Sequence, residues 1–338
     1  MEGQAQANPD PIIQIVSGFW TSQAVNVAAR LALPDLLKDG ARTVEDLAAE
    51  TGTHPPSLFR LLRLLASVGF LTEVPPRSFG PTETSDRLRS DVPGSLRWYL
   101  MLAAGQEHYT AWGNLLHSVK TGEIAFDHTF QKDVWQHYAE NPDCADVFNR
   151  AMTGFTEVVE KAVLSSYDFS GFATVVDVGG GHGGMLSSIL QKYPQARGVL
   201  FDAPQVVADA REVMSNAALQ GRVEIAGGDF FAEVPQGGEL YILKFILHDW
   251  NEGKAAAILH SVRRAIPESG KLLIAEMVLP SGSEPAFSKF MDINMMVMTG
   301  GHERTEAGFK SLLATGGFKL ARIVATPSMI SLIEAEPI

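Results

Sequence analysis

The run Val175-Val176-Asp177-Val178-Gly179-Gly180-Gly181-His182-Gly183-Gly184 restricts the fold more than any other segment of the chain. Its β-branched start predicts a strand over Thr174–Val178, the glycines break that strand, and a helix opens at about Met185. Gly179, Gly181 and Gly184 satisfy Gly-x-Gly-x-x-Gly in strand–turn–helix context, where bare backbone lets a nucleotide approach closely. Such turns also occur without a ligand, and the pattern by itself does not separate a dinucleotide from another nucleoside.

Around this turn the chain alternates short β-branched runs with helical stretches. The strands expected are Thr174–Val178, Gly198–Phe201, Val223–Ala226, Leu240–Leu243, Lys271–Glu276, Leu320–Val324 and Ser331–Ala335, which predicts an α/β domain with a mostly parallel sheet. Only Ala325 to Ile330 separates the last two, too few residues for a helical crossover, so they should pair as an antiparallel hairpin.

The acids at the strand ends narrow the ligand. Asp202 ends the second strand of this domain, where a carboxylate can accept from both ribose hydroxyls. Asp177 stands two residues before the first glycine, a position that suits an ammonium and a sulfonium and would repel a pyrophosphate. Asp229, in Gly227-Gly228-Asp229-Phe230-Phe231, can receive an adenine amino group while Phe230 packs on the ring. Together with the hairpin, these residues favour S-adenosylmethionine over a nicotinamide dinucleotide.

The first half reads differently. From Ile12 to about Asp168 apolar residues recur at helical spacing, with Thr43 as N-cap of a helix Val44–Glu50 and a second helix over Pro56–Ser67. Two short strands, Gly69–Glu73 and Phe79–Thr82, flank a Pro-Pro turn, giving a winged-helix pattern. A DNA-binding regulator is therefore the rival from another class. Residues 1–168 hold 13 Lys or Arg against 21 Asp or Glu, a net charge of −8, and the would-be recognition helix carries only Arg60 and Arg63 among leucines. DNA readers need an exposed basic helix, so burial of this helix against a second subunit is expected, and with it a homodimer and no nucleic-acid partner. The boundary falls near residue 168, with a helical domain over 1–168 and the sheet domain over 169–338.

His248 follows the fourth strand of the sheet domain, on the edge where ligands of open α/β folds collect. A phenol with a pKa of ~10 needs a base to take its proton at neutral pH, and an imidazole near ~6.5 can do so. Glu276 and Glu303 are the carboxylates expected to orient it. Asp249, read as continuing strand alternation, should point to the opposite face, toward the cofactor. The nine histidines are scattered without metal-ligand spacing, and a metal-free site is expected. One cysteine, a polar Met1–Asp10 and the lack of a ~20-residue apolar run point to a cytoplasmic protein without a membrane partner.

Asp177-Val-Gly-Gly-Gly-His-Gly-Gly, Asp202-Ala-Pro, Gly-Gly-Asp229-Phe-Phe, Leu247-His-Asp-Trp and Gly300-Gly-His-Glu-Arg-Thr occur in this order. In that order they resemble the plant-type small-molecule O-methyltransferase family, including its bacterial natural-product branch. The resemblance implies a winged-helix-like dimerisation domain before a seven-stranded, Rossmann-like class I methyltransferase domain. It implies that Gly179, Asp202, Asp229, Phe230 and Lys244 hold S-adenosylmethionine, with S-adenosylhomocysteine as product, and that His248 is the base acting on a small aromatic hydroxyl. It places Phe148 and Met152 against the substrate. Met295, at helical spacing with Met296 and Met298, reads as core or as a further substrate contact. Relatives on this fold also N-methylate, hydroxylate or decarboxylate aromatic compounds, so those reactions are the alternatives.

Overall fold

The computed structural model describes residues 10–214, 219 and 221–338. They form two compact units: residues up to Tyr109 together with Asp143–Gly154, and Thr110–Pro142 together with Phe155–Ile338. This division is not a single cut along the chain. Residues 110–142 belong with the sheet-bearing unit because their helices pack on the helix Phe287–Met298, where the Trp112 indole donates to Asn294 Oδ1 at 2.9 Å. The long helix Pro142–Ser166 is shared, its later part burying Val159 and Val163 in the core of the second unit.

In the first unit the helix Pro11–Arg30 starts at an Asp10 cap, whose carboxylate accepts from Ile12 N at 2.8 Å. Thr43 caps the helix Val44–Thr51 as expected, and the helix Pro55–Ser67 follows. The wing has three strands: β1 (Arg42–Thr43), β2 (Thr72–Val74) and β3 (Ser78–Gly80), in the order β1-β3-β2. Two residues were too few for β1 to register as a sequence pattern. The leucine face of Pro55–Ser67 departs from expectation: Leu58, Leu62 and Leu65 are buried in the core of their own unit, because they share one helical face. Leu64 on this helix and Val68 at its end remain exposed, and the first helix exposes Ile12, Ile13, Ile15, Val16, Phe19 and Trp20.

The second unit is built on β4 (Thr174–Val178), β5 (Arg197–Asp202), β6 (Val223–Gly227), β7 (Leu240–Lys244), β8 (Lys271–Glu276), β11 (Phe318–Ala325) and β12 (Ser331–Pro337), in the order β11-β12-β8-β7-β4-β5-β6. Only β12 runs against the others, pairing antiparallel with β8 and with β11, so the hairpin is present as expected. A separate parallel pair, β9 (Val278–Leu279) with β10 (Arg304–Thr305), was not foreseen. It brings the Gly300–Arg304 segment beside the end of β8.

Strand alternation divides the core in two. Val176, Val178, Tyr241, Leu243, Leu272 and Ile274 face the helices Glu252–Ala265 and Glu306–Thr315, while Val175, Leu240, Ile242 and Leu273 face the helix Gly184–Lys192. After β6 the chain returns to the other side of β4, so β4 and β7 flank the switch point at which open α/β sheets bind ligands. Among the described residues no helix is long and apolar enough to cross a membrane.

Candidate active site

Asp177 lies on β4, fully buried, and neither of its carboxylate oxygens has a hydrogen-bond partner. Burial pushes its pKa up to about 7, against the pull of Lys244 at the end of β7. Burial in turn holds Lys244 below the usual lysine range, opposed by Asp177. An unpartnered buried carboxylate is costly unless something cationic completes it.

At Gly179 and Gly180 the turn leaves no room for side chains. A Cβ on Gly179, whose φ is +71°, would lie 2.4 Å from Ile246 Cδ1, and one on Gly180 would lie 2.7 Å from Asp177 Oδ2. Gly181 donates its N–H to Asp202 Oδ2 at 2.8 Å, and Asp202 Oδ1 accepts from Ala203 N at 2.7 Å. Each oxygen retains a lone pair, so Asp202 can still accept from a diol. Asp229 is exposed and accepts from Phe231 N, while Phe230 is half-buried near Gly179 and stands edge-on to Trp250, ring centroids 6.2 Å apart. The unpaired acid, the diol-ready carboxylate and the aromatic edge fit the ammonium, ribose and adenine of S-adenosylmethionine.

His248 sits on a 3₁₀ turn, Leu247–Asp249, immediately after β7 and Phe245. Its Nδ1 is 2.7 Å from Glu303 Oε1, and both side chains are buried. Because Glu303 is only 2% exposed, it is not merely an acid favoured at a helix start; the helix begins at Glu306. Glu276 reaches the same turn through the turn's backbone. Its Oε1 accepts backbone N–H groups from Ile246, Leu247 and His248 at 3.1, 2.7 and 3.2 Å, so it holds the turn that carries the imidazole. Asp249 does not point away from the base as alternation predicted: its Oδ1 is 3.9 Å from His248 Nε2. In a 3₁₀ turn successive side chains are ~120° apart, and strand alternation no longer applies.

Burial alone would lower the pKa of His248, but Asp249, the Glu303 hydrogen bond and charge, and Glu276 outweigh it and raise it to about 9. Burial pushes Glu276 up to about 7 and Asp249 up to about 6, each opposed by His248. The imidazole is therefore an anion-stabilised group, not an isolated one near 6.5.

Several supports had no role assigned by sequence, although Gly301 and Arg304 lie within the Gly300-Gly-His-Glu-Arg-Thr motif. Phe245 has φ +54°, a strained value for an aromatic residue, and its ring centroid is 5.5 Å from that of His248. Asp292 accepts from Glu303 N at 2.9 Å. Arg304 and Gly301 touch the backbone of the turn itself. Of the expected substrate contacts, Met295 is buried on Phe287–Met298 in the second unit, whereas Phe148 and Met152 are half-buried on the part of Pro142–Ser166 that belongs to the first.

Residues 112–319 match the family model for the O-methyltransferase domain, and residues 13–91 match that for the O-methyltransferase dimerisation domain. The phenazine O-methyltransferase PhzM of Lysobacter antibioticus is 45% identical over 97% of this chain and 96% of its own. A phenazine-1-carboxylate N-methyltransferase of Pseudomonas aeruginosa is 34% identical over 96% of each chain. The crystal structure of the O-methyltransferase NcsB1 from neocarzinostatin biosynthesis, in complex with S-adenosylmethionine and 2-hydroxy-5-methyl naphthoic acid, has a TM-score of 0.85 and 30% identity, covering 99% of this chain and 100% of that one. With one domain model spanning more than half its length and a relative this similar along nearly all of it, the chain belongs to the S-adenosylmethionine-dependent O-methyltransferase family.

Proposed function

We propose that this protein, as a homodimer, methylates a hydroxyl of a flat aromatic natural product such as a hydroxyphenazine, with His248 as general base. The observation that carries this reading is the buried His248–Glu303 pair at 2.7 Å, beside the β4–β7 switch point. S-Adenosylmethionine, when bound, supplies an electrophilic methyl group. Neutral His248 takes the hydroxyl proton on Nε2 as the O–C bond forms, while Glu303 on Nδ1 stabilises the resulting imidazolium. Asp177 and Lys244 meet the charged methionyl end, Asp202 the ribose, and Asp229 with Phe230 the adenine. Met295, on the helix Phe287–Met298, contacts the acceptor from the second unit. Alkylation of a ring nitrogen uses a lone pair and requires no proton removal, so a buried imidazole held by a carboxylate favours a hydroxyl acceptor. Incubation with methyl-labelled S-adenosylmethionine and a panel of phenols, naphthoates and phenazines, read by mass spectrometry, should show one methyl added to oxygen. Hydroxylated or decarboxylated products, or methyl on nitrogen alone, would overturn the reading.

Asp202→Ala should weaken S-adenosylhomocysteine binding by about 10–100-fold, the loss of charge-assisted hydrogen bonds to a diol. Calorimetry checks this, and unchanged affinity would remove Asp202 from the cofactor site.

The pH dependence has a defined sign. A base that is protonated below about 9 must lose that proton before it can act, so kcat/KM should rise with pH through the alkaline range, well above the ordinary imidazole value. Glu303→Gln removes a group that raises this pKa, so its limb should move to lower pH. A limb near 6.5 in both proteins would contradict the assignment.

The wing-bearing half serves assembly in this reading. Its net charge of −8 over residues 1–168 opposes a phosphate backbone, and the exposed apolar start of the first helix supplies a surface for the second copy.

A further inference from the structure

Arg304 is 2% exposed, and burying a guanidinium costs more stability than an apolar side chain would unless its donors are used. Its only carboxylate partner among the described residues is Glu252, on the adjoining helix start, with Nε to Oε1 at 3.1 Å. Nη1 donates to Leu247 O at 3.0 Å and to His302 O at 3.4 Å, and Nη2 donates to Trp250 O at 3.2 Å. The fork therefore spans the carbonyls that bracket His248 and Asp249. On the other side of the same turn, Glu276 accepts the N–H groups of Ile246, Leu247 and His248.

We propose that Arg304 is a positioning residue for the reaction: by fixing the Leu247 and Trp250 carbonyls it sets where His248 presents Nε2. This rests on His248 being the base. Glu303 holds the ring and Arg304 holds the backbone beneath it, so one dipeptide secures the imidazole at both ends. A planar guanidinium can bridge two carbonyls at once, and a lysine ammonium keeps the charge without that fork. Glu252 Oε1 receives Arg304 together with His302 Nε2, at 2.8 Å, and so orients the fork from the surface.

The test is Arg304→Lys in the full-length protein, with His248→Gln alongside. Displacing a reacting group by ~1 Å costs on the order of 100-fold, so kcat should fall about 10–100-fold. S-Adenosylhomocysteine affinity should stay within about twofold, and the limb of the pH profile should move toward ordinary imidazole as the ring loses its fixed carboxylate geometry. Unchanged kcat and pH profile would overturn the proposal. So would a loss of activity matched by loss of cofactor binding with no shift of the limb, because that describes a fold defect only. If Arg304→Lys does not fold, Glu252→Gln decides. Its side chain is largely exposed, and it should lower kcat severalfold with the same shift, whereas wild-type behaviour would overturn the proposal. Full activity in His248→Gln would defeat the base assignment itself. An inactive His248→Gln beside an unaffected Arg304→Lys would defeat only the positioning role.

Discussion

His248→Gln should lower kcat for a phenolic acceptor by about 10²–10⁴-fold, the range a positioned proton acceptor contributes, while S-adenosylhomocysteine still binds within a few-fold of wild type. Glutamine roughly keeps the volume and can still hydrogen-bond Glu303, so the buried carboxylate is not stranded. What disappears is a group able to accept the hydroxyl proton. Raising the pH should partly restore the variant, because a phenolate formed in solution needs no base, and acceptors with acidic hydroxyls should suffer least. The same variant separates the two acceptor chemistries, since methylation of a ring nitrogen would survive the substitution. Steady-state rates on a series of phenols of graded acidity are the measurement. A loss independent of acceptor pKa would show that His248 orients the acceptor without taking its proton.

The sheet domain was largely legible because its signals are local. A β-branched run ended by glycines, acids at strand ends and a loop too short for a helix each report on a few consecutive residues, and the seven strands and the antiparallel hairpin lie where those signals put them. The site was legible only in part. Type and rough position could be read for His248, Glu303, Asp177 and Asp202, but orientation could not. Strand alternation placed Asp249 away from the imidazole, and a 3₁₀ turn put it 3.9 Å from Nε2. Glu276 and Glu303 looked equivalent, yet one takes three backbone donors and the other takes the ring. Their difference depends on the β9–β10 pair, whose strands are two residues each and leave no periodicity to detect. The interleaving of the two units along the chain was illegible for a related reason. Helices from either unit have the same apolar spacing, so residues 110–142 carry no mark of the core they join.

Gly301→Ala should be nearly as damaging as removing the base, although residue 301 has no side chain and no proton to give. An added Cβ would stand 1.9 Å from the His248 carbonyl oxygen, 2.5 Å from Asp249 C and 2.7 Å from Trp250 N. All three are backbone atoms of the turn that carries the base, so no rotamer change can relieve the overlap. Glu276 and Arg304 grip the same turn through its N–H and carbonyl groups, and relief must either break those bonds or push the Gly300–Arg304 segment away with Glu303. Either route separates His248 from its carboxylate or shifts it by ~1 Å or more, which costs on the order of 100-fold in kcat, with about 1–3 kcal/mol of overpacking strain. The expected signature is a large fall in kcat and a modest fall in Tm, with S-adenosylhomocysteine binding retained because Asp177, Gly181 and Asp202 lie on β4, β5 and the loop between them. Wild-type kcat in Gly301→Ala would mean that the turn can move without consequence, and rigid support of His248 would then be no part of how this protein works.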